Sequence, residues 1–173
     1  MSERVVVIGA GMAGLWTAMA LSGPDREVIV LDRDPPPPEG GADVAFEDWQ
    51  RRGVGHLRHS HAFLARLRTI VRDRHPALLD ALLAEGCREL GFEGGLTPKH
   101  KENYVPAPID ADLAILTSRR TTLELVMRRY AEGLPGVTMR PDTFVRDLTV
   151  EPGSPPKVTG VVLQDGTRLS ADI

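Results

Sequence analysis

The run Val5-Val6-Val7-Ile8, followed at once by Gly9-Ala10-Gly11-Met12-Ala13-Gly14, constrains the fold more than any other part of the sequence. Four β-branched residues favour a strand. An unbroken apolar run reads as a parallel strand covered on both faces. The glycines have the spacing G-x-G-x-x-G and stand where a strand would turn into a helix. In that arrangement Gly9 permits the tight turn, Gly11 lets a pyrophosphate approach the backbone, and Gly14 lets helix and strand pack closely. Backbone N–H groups at the helix start, at Met12 and Ala13, become candidate phosphate donors, helped by the partial positive charge there. Ala18, four residues past Gly14, keeps the same helix face small. Glu27–Leu31 reads as a second strand ending at Asp32, 18 residues after Gly14. A carboxylate there can accept hydrogen bonds from a ribose hydroxyl. Arg33, beside it, is a further candidate contact. An acid at this point disfavours a 2′-phosphate, so NADP fits least, and FAD and NAD remain.

Val5–Gly23 is also apolar enough to raise two other readings. A membrane-spanning helix needs about 20 apolar residues, but three glycines in the first half weaken a helix. The segment also runs straight into the strand-like "REVIVLDRD". A signal peptide would use Ala18-Met19-Ala20 as its cleavage site, and cleavage there would remove the best strand. Neither a span nor a signal is expected. The net charge of −3, without a long run of one sign, offers no basic footprint for nucleic acid or anionic lipid. The single cysteine, Cys87, excludes a disulfide framework and suits a reducing cytoplasm. Cys87 reads as a small core residue before it reads as a nucleophile.

After Asp32 the chain changes character. Pro35–Pro38 and a glycine pair suggest a stiff surface connection over about residues 34–50. Phe63, Leu64, Leu67, Ile70 and Val71 have helical spacing. Pro76 should break or restart that helix, and a second piece through Leu78–Leu83 should close at Gly86. Residues 87–112 are poorly periodic and read as loop with short extended pieces. Leu113–Leu116 reads as a short strand. Thr121 with Glu124 fits a capping box, opening a helix through Leu123, Val126, Met127 and Tyr130. Val137–Arg140 and Phe144–Val150 read as strands, and residues 157–173 as a hairpin turning at Asp165-Gly166.

Two stretches carry basic and imidazole groups. Arg51 and Arg52 precede a Gly-Val-Gly turn, from which a guanidinium could reach a phosphate in two-pronged fashion. Taken alone, a solvated loop arginine is the simpler reading. His59 and His61 alternate as on a strand, but without a third ligand at suitable spacing no metal site is expected. Polar contact with a cofactor or with loop backbone suits them better. Arg120 stands at a helix start, where a positive charge is disfavoured unless a phosphate partners it.

The sequence resembles the FAD-dependent monooxygenases related to aromatic-ring hydroxylases and epoxidases. The resemblance rests on "GAGMAGLWTAMAL" with "VIVLDRD", and more specifically on "RRGVGHLRHSHAFL". There Arg51, Gly53, Val54, His59 and His61 match the family's Arg-x-Gly-Val-Pro-Gln and His-x-His pattern. Gly55 and His56 replace its Pro and Gln, and Asp32 stands where the family more often has Glu. Arg120, Leu123 and Glu124 match its Arg-x-x-Leu-Glu. The resemblance implies that Arg51 reaches a phosphate of the cofactor and that Arg120 lies by the flavin; His59 stays a candidate cofactor contact on its own chemistry. It also implies an α/β, Rossmann-type, glutathione-reductase-like FAD-binding domain, a parallel sheet with an added β-hairpin. On this reading residues 1–173 are the N-terminal part of a larger flavoprotein, incomplete and without its substrate domain. The intact enzyme would be reduced by NAD(P)H and insert oxygen into a small-molecule substrate, while the 173-residue chain alone is expected to be inactive and to hold FAD weakly. A prenyl-chain reductase of the same layout, an NAD-binding dehydrogenase and a non-catalytic fragment are the alternatives. No catalytic side chain stands out.

Overall fold

The computed structural model describes residues 2–173. In chain order the elements begin with β1 (Glu3–Ile8), α1 (Met12–Leu21), β2 (Arg26–Leu31), α2 (Ala42–Asp48) and β3 (Ser60–Phe63). They continue with α3 (Ala65–Arg74), α4 (Pro76–Ala84), β4 (Arg88–Leu90), α5 (Pro98–Lys101) and β5 (Ile115–Arg119). The last are α6 (Arg120–Glu132), β6 (Val137–Arg140), β7 (Val145–Glu151), β8 (Lys157–Leu163) and β9 (Arg168–Ser170). Short 3₁₀ turns cover Phe92–Gly95 and Pro108–Leu113. The chain divides into two compact units. The first holds the residues up to Pro38, Asp48–Gly55 and Met127–Ile173; the second holds Glu39–Glu47 and His56–Val126.

The first unit is built on a parallel sheet in the order β1-β2-β6. Val5 faces Val28 and Ile8 faces Leu31 across the first pair, and Val28 faces Val137 across the second. The central strand is the most deeply covered: Val28, Ile29, Val30 and Leu31 are all buried, as expected of a strand with a layer on each face. Each such side chain contributes about 1.5–3 kcal/mol on leaving water. An antiparallel sheet in the order β7-β8-β9 supplies one covering layer, with Val161 packed on Ile29 and Leu31. Helix α1 buries Leu15, Ala18 and Met19, one face at helical spacing. The β8–β9 hairpin turns at Asp165-Gly166, with Gly166 at φ +87°. Asp172 and Ile173 lie along β1: Asp172 N–H donates to Arg4 O at 2.8 Å and Val6 N–H to Ile173 O at 3.0 Å.

The second unit holds an antiparallel sheet in the order β3-β5-β4, together with α2, α3 and α4. Helices α3 and α4 break at His75, and Pro76 opens the new helix, where its missing N–H costs nothing. Gly86 follows at φ +92°.

Several expectations need correction. Phe63 is not helical. It ends β3 opposite Leu116, is buried there, and leaves Leu64 as the cap of α3. The strand expected at Leu113–Leu116 lies at Ile115–Arg119, because Leu113 closes a 3₁₀ turn. Residues 87–112 hold a short extended piece as expected, β4 paired with β5, but much of what was read as loop is helical, in two 3₁₀ turns and α5. The connection at 34–50 is not all surface. It contains α2 and delivers Ala45 and Trp49 into the interior, each 1% exposed. The capping box at Thr121 and Glu124 does not form. Helix α6 already begins at Arg120, Thr121 Oγ1 donates to Leu57 O at 2.7 Å, and Glu124 takes the Nε–H of Arg120 at 2.7 Å. No helix among the described residues is long and apolar enough to cross a membrane.

Candidate functional site

The glycine turn connects β1 to α1 within the first unit. Gly9 holds φ +96°, a left-handed conformation suited to a residue without Cβ, and its N–H donates to Leu31 O at 2.7 Å. Gly14 is the tight point. A Cβ built there would lie 1.8 Å from Gly9 O, so helix and turn approach as closely as only glycine allows. Gly11 behaves differently. It is the N-cap of α1 at an ordinary φ of −79°, and a Cβ on it would meet nothing within 4 Å. The space over the turn is open.

The start of α1 is bare. Gly11 offers no side-chain cap, and the first turn, with Met12 and Ala13, carries no acid. Uncapped N–H groups and the helix dipole make this end a receptor for an anion.

Asp32 stands at the end of β2, 4% exposed. It does not stand alone. Its Oδ2 lies 3.1 Å from Nη2 of Arg51 and 3.5 Å from Nη1 of Arg128. Its Oδ1 accepts the N–H of Asp34 at a long 3.4 Å. Backbone holds the residue in place: Asp32 N–H donates to Arg140 O, and Asp32 O accepts from Thr143 N–H at 2.8 Å.

Arg51 is buried, and the solvated-loop reading fails. Its Nε donates to Asp34 Oδ2 at 3.2 Å and its Nη1 to Ala10 O at 3.2 Å, so one guanidinium ties the glycine turn to both acids. The Trp49 ring lies under it, 5.1 Å from centroid to guanidinium carbon. Four buried charges, Asp32, Asp34, Arg51 and Arg128, thus compensate one another. Arg33 points elsewhere, with Nη2 at the face of Gly53 and the side chain lining a small cavity with Arg52, Asp142, Phe144 and Gln164.

His59 and Arg120 belong to the second unit. His59 stands in a bend just before β3, not in the strand, and only His61 is a strand residue. The third imidazole that the sequence reading passed over is His56. Its ring stacks on His61 at 5.2 Å and tilts toward His59 at 6.5 Å. Even so, no group of metal-binding side chains forms among the described residues. His56 Nε2 contacts Nη1 of Arg120, and that cation holds the imidazole below its ordinary range. Arg120 N–H donates to His59 O at 2.9 Å. With the Thr121–Leu57 bond, the histidine loop is fastened to the first turn of α6. The buried Glu124 carboxylate balances the Arg120 charge. Cys87 is buried, and burial pushes its thiol up, which suits a core residue and not a nucleophile.

Of the residues named from the sequence, the structure gathers Gly9, Gly11, Gly14, Asp32 and Arg51 in the first unit and sets His59 and Arg120 in the second. Asp34, Trp49 and Arg128, which join Asp32 and Arg51, and His56, which joins Arg120, were not named for these contacts. His56 was legible in the spacing His56-x-x-His59-x-His61. Arg128, 96 residues from Asp32, carried no local signal.

Comparison with solved structures gives the fold a setting. PqsL of Pseudomonas aeruginosa, described as a probable FAD-dependent monooxygenase, superposes with a TM-score of 0.65 at 18% identity, over 98% of this chain and 40% of that one. The 2-methyl-3-hydroxypyridine-5-carboxylic acid oxygenase gives 0.59 at 19%, over 100% and 38%. The Diels-Alderase PyrE3 of pyrroindomycin biosynthesis gives 0.62 at 20%, over 98% and 31%. At such identities the likeness is one of fold. The chain spans less than half the length of each. No curated protein sequence matches it. A family match covers nearly the whole chain: over residues 4–167 it matches the FAD dependent oxidoreductases, and it belongs to that family.

Proposed function

We propose that this chain is the FAD-binding part of an NAD(P)H-dependent flavin monooxygenase, a hydroxylase or epoxidase acting on a small organic substrate. The observation that carries the cofactor assignment is the bare start of α1 under the open face of Gly11, with a buried carboxylate at the end of the next strand. The likeness to PqsL and to the pyridine-carboxylate oxygenase supports oxygen insertion. The share of those chains that is covered supports the N-terminal assignment over residues 1–173, with the substrate domain outside them.

The residues present fit the group. Backbone N–H groups at Met12 and Ala13 would take the pyrophosphate, with Gly9, Gly11 and Gly14 keeping the approach clear. Asp32 would accept from the adenosine ribose hydroxyls. Arg51 would orient the turn through Ala10 O and offer charge to the phosphates. Arg120 stays a proposed cofactor contact on the strength of the resemblance, and Arg33 and His59 stay as candidate contacts. The chemistry supplied by bound FAD is transfer of two electrons from a reduced nicotinamide to O2, with one oxygen atom entering the substrate and the other leaving as water.

Two measurements test the reading. Flavin fluorescence during titration of the purified chain should quench to a one-to-one end point, and a chain that leaves FAD in solution overturns the cofactor assignment. Oxygen uptake coupled to NAD(P)H oxidation by the intact enzyme, with an oxygenated product, tests the activity. Reduction of an unsaturated substrate without oxygen uptake would assign the prenyl-chain reductase chemistry instead.

A further inference from the structure

We infer that Arg128 is a positioning residue for the cofactor: from helix α6 it holds the Asp32 carboxylate in the orientation that meets the adenosine ribose. The inference rests on the proposed FAD site and names a residue that neither the glycine motif nor the Arg51 and Arg120 stretches contain.

Arg128 is 1% exposed, as deeply buried as Leu31 in the central strand of the parallel sheet. A long cation in such a place needs compensation, because removing it from water is costly unless it is paired. Its two partners lie on either side. Nε meets Glu132 Oε1 at 3.2 Å on its own helix, and Nη1 reaches Asp32 Oδ2 at 3.5 Å. Neither Arg128 Nη1 nor Asp32 Oδ2 has a well-aligned hydrogen bond there, although both atoms are fully covered. The pair is held by charge and shape rather than by a directed bond.

The consequence is an asymmetric carboxylate. Two guanidinium groups gather on Oδ2, at 3.1 and 3.5 Å. The other oxygen, Oδ1, has the long 3.4 Å contact from Asp34 N–H, and is left as the acceptor for a ribose hydroxyl. Arg51 cannot do this alone. It also serves Asp34 and Ala10 O, and any turn of its guanidinium toward a phosphate draws it from Asp32. Arg128 has no such second duty at the glycine turn, and remains the fixed countercharge.

The test uses flavin fluorescence titration, which needs no turnover. The probes are FAD and an FAD analogue lacking the 2′-hydroxyl of the adenosine ribose. Wild type should bind the analogue about tenfold or more weaker, the effect expected of a hydrogen bond to a charged group. In Arg128→Met, FAD should weaken about tenfold while the analogue changes by less than about threefold, so that the discrimination collapses. A merely structural role would weaken both ligands equally, and that result overturns the inference, as does discrimination kept at the wild-type ratio. Circular dichroism reports whether Arg128→Met is folded. If it is not, Arg128→Lys decides: its point charge cannot reach both Glu132 and Asp32, so discrimination should fall about threefold or more, and an unchanged ratio overturns the inference. A wild-type chain that binds no FAD overturns the cofactor site itself and this role with it. Wild-type binding with an unmoved ratio overturns the role of Arg128 alone.

Discussion

Gly14→Ala and Gly11→Ala, the same chemical change three residues apart, should fail in different ways. At Gly14 the new Cβ would lie 1.8 Å from Gly9 O, with Gly9 C at 3.0 Å and Val7 Cγ1 at 3.4 Å. Real Cβ contacts do not fall below 3.0 Å, so helix and turn must part by about 1.2 Å. The obstacle is backbone, and no rotamer change can relieve it. Overpacking of this kind costs about 1–3 kcal/mol, and more where the neighbour cannot move. Alanine returns about 1 kcal/mol in helix propensity. The net loss should be about 2 kcal/mol, which for a chain of this size lowers Tm by about 4–8 °C. At Gly11 the φ of −79° suits any residue and nothing lies within 4 Å, so the loss should stay below about 1 kcal/mol, the cost of a poorer N-cap. The methyl group would instead stand in the open space over the turn and weaken FAD about tenfold or more. Urea unfolding and thermal melts of the FAD-free chain measure the first effect, and fluorescence titration the second. A Gly14→Ala protein melting within about 1 °C of wild type would refute the packing argument. Undiminished FAD binding by Gly11→Ala would refute the placement of the phosphates.

Three further outcomes follow from the charges. Arg51→Met leaves Asp32 and Asp34 buried with one cation fewer, and should cost about 3–5 kcal/mol as a lower urea midpoint at unchanged m; a loss below about 1 kcal/mol would show that the network carries no stability. The Arg120 guanidinium holds His56 below its ordinary 6.5, and burial does the same to His75. The folded chain therefore takes up these protons less readily than the unfolded chain, so stability is present above 6.5 and lost as pH falls through and below it. Urea midpoints at about pH 7 and about pH 5 should show this loss, and His56→Gln should shrink it; an equal loss in the variant removes His56 from the account. Burial raises the Cys87 thiol, so a chromogenic disulfide should label it at least about tenfold more slowly in the native than in the urea-unfolded chain; equal rates would contradict its burial.

What was legible in the sequence was local. The β1 strand, the glycine turn, the α1 helix and the acid at Asp32 follow one another within 28 residues, and each is specified by its own neighbours. The hairpin at Asp165-Gly166 is local in the same sense. The errors arose where a distant partner captured a group that had a plausible local use. Thr121 and Glu124 have the spacing of a capping box, but the carbonyl of Leu57 and the guanidinium of Arg120 claim them. Phe63 fits a helical stripe, but pairing with β5 places it opposite Leu116. The proline-rich stretch looks like a linker until Trp49 is seen packed under Arg51.

The arginine doublets show the limit most clearly. Arg51-Arg52 and Arg128-Arg129 look alike on paper, yet in each the first residue is buried and the second exposed. Neighbouring side chains leave the backbone in different directions, so a doublet can offer one residue to each environment. Which one turns inward is decided by the acids waiting there. Asp32 and Asp34, two apart at the end of β2, form a buried anionic pair that must be neutralised, and one arginine from each doublet answers it. The acid proposed to meet the ribose could be read from the motif alone. The two cations that pair with it in the interior could be found only once α6 had been folded back beside β2.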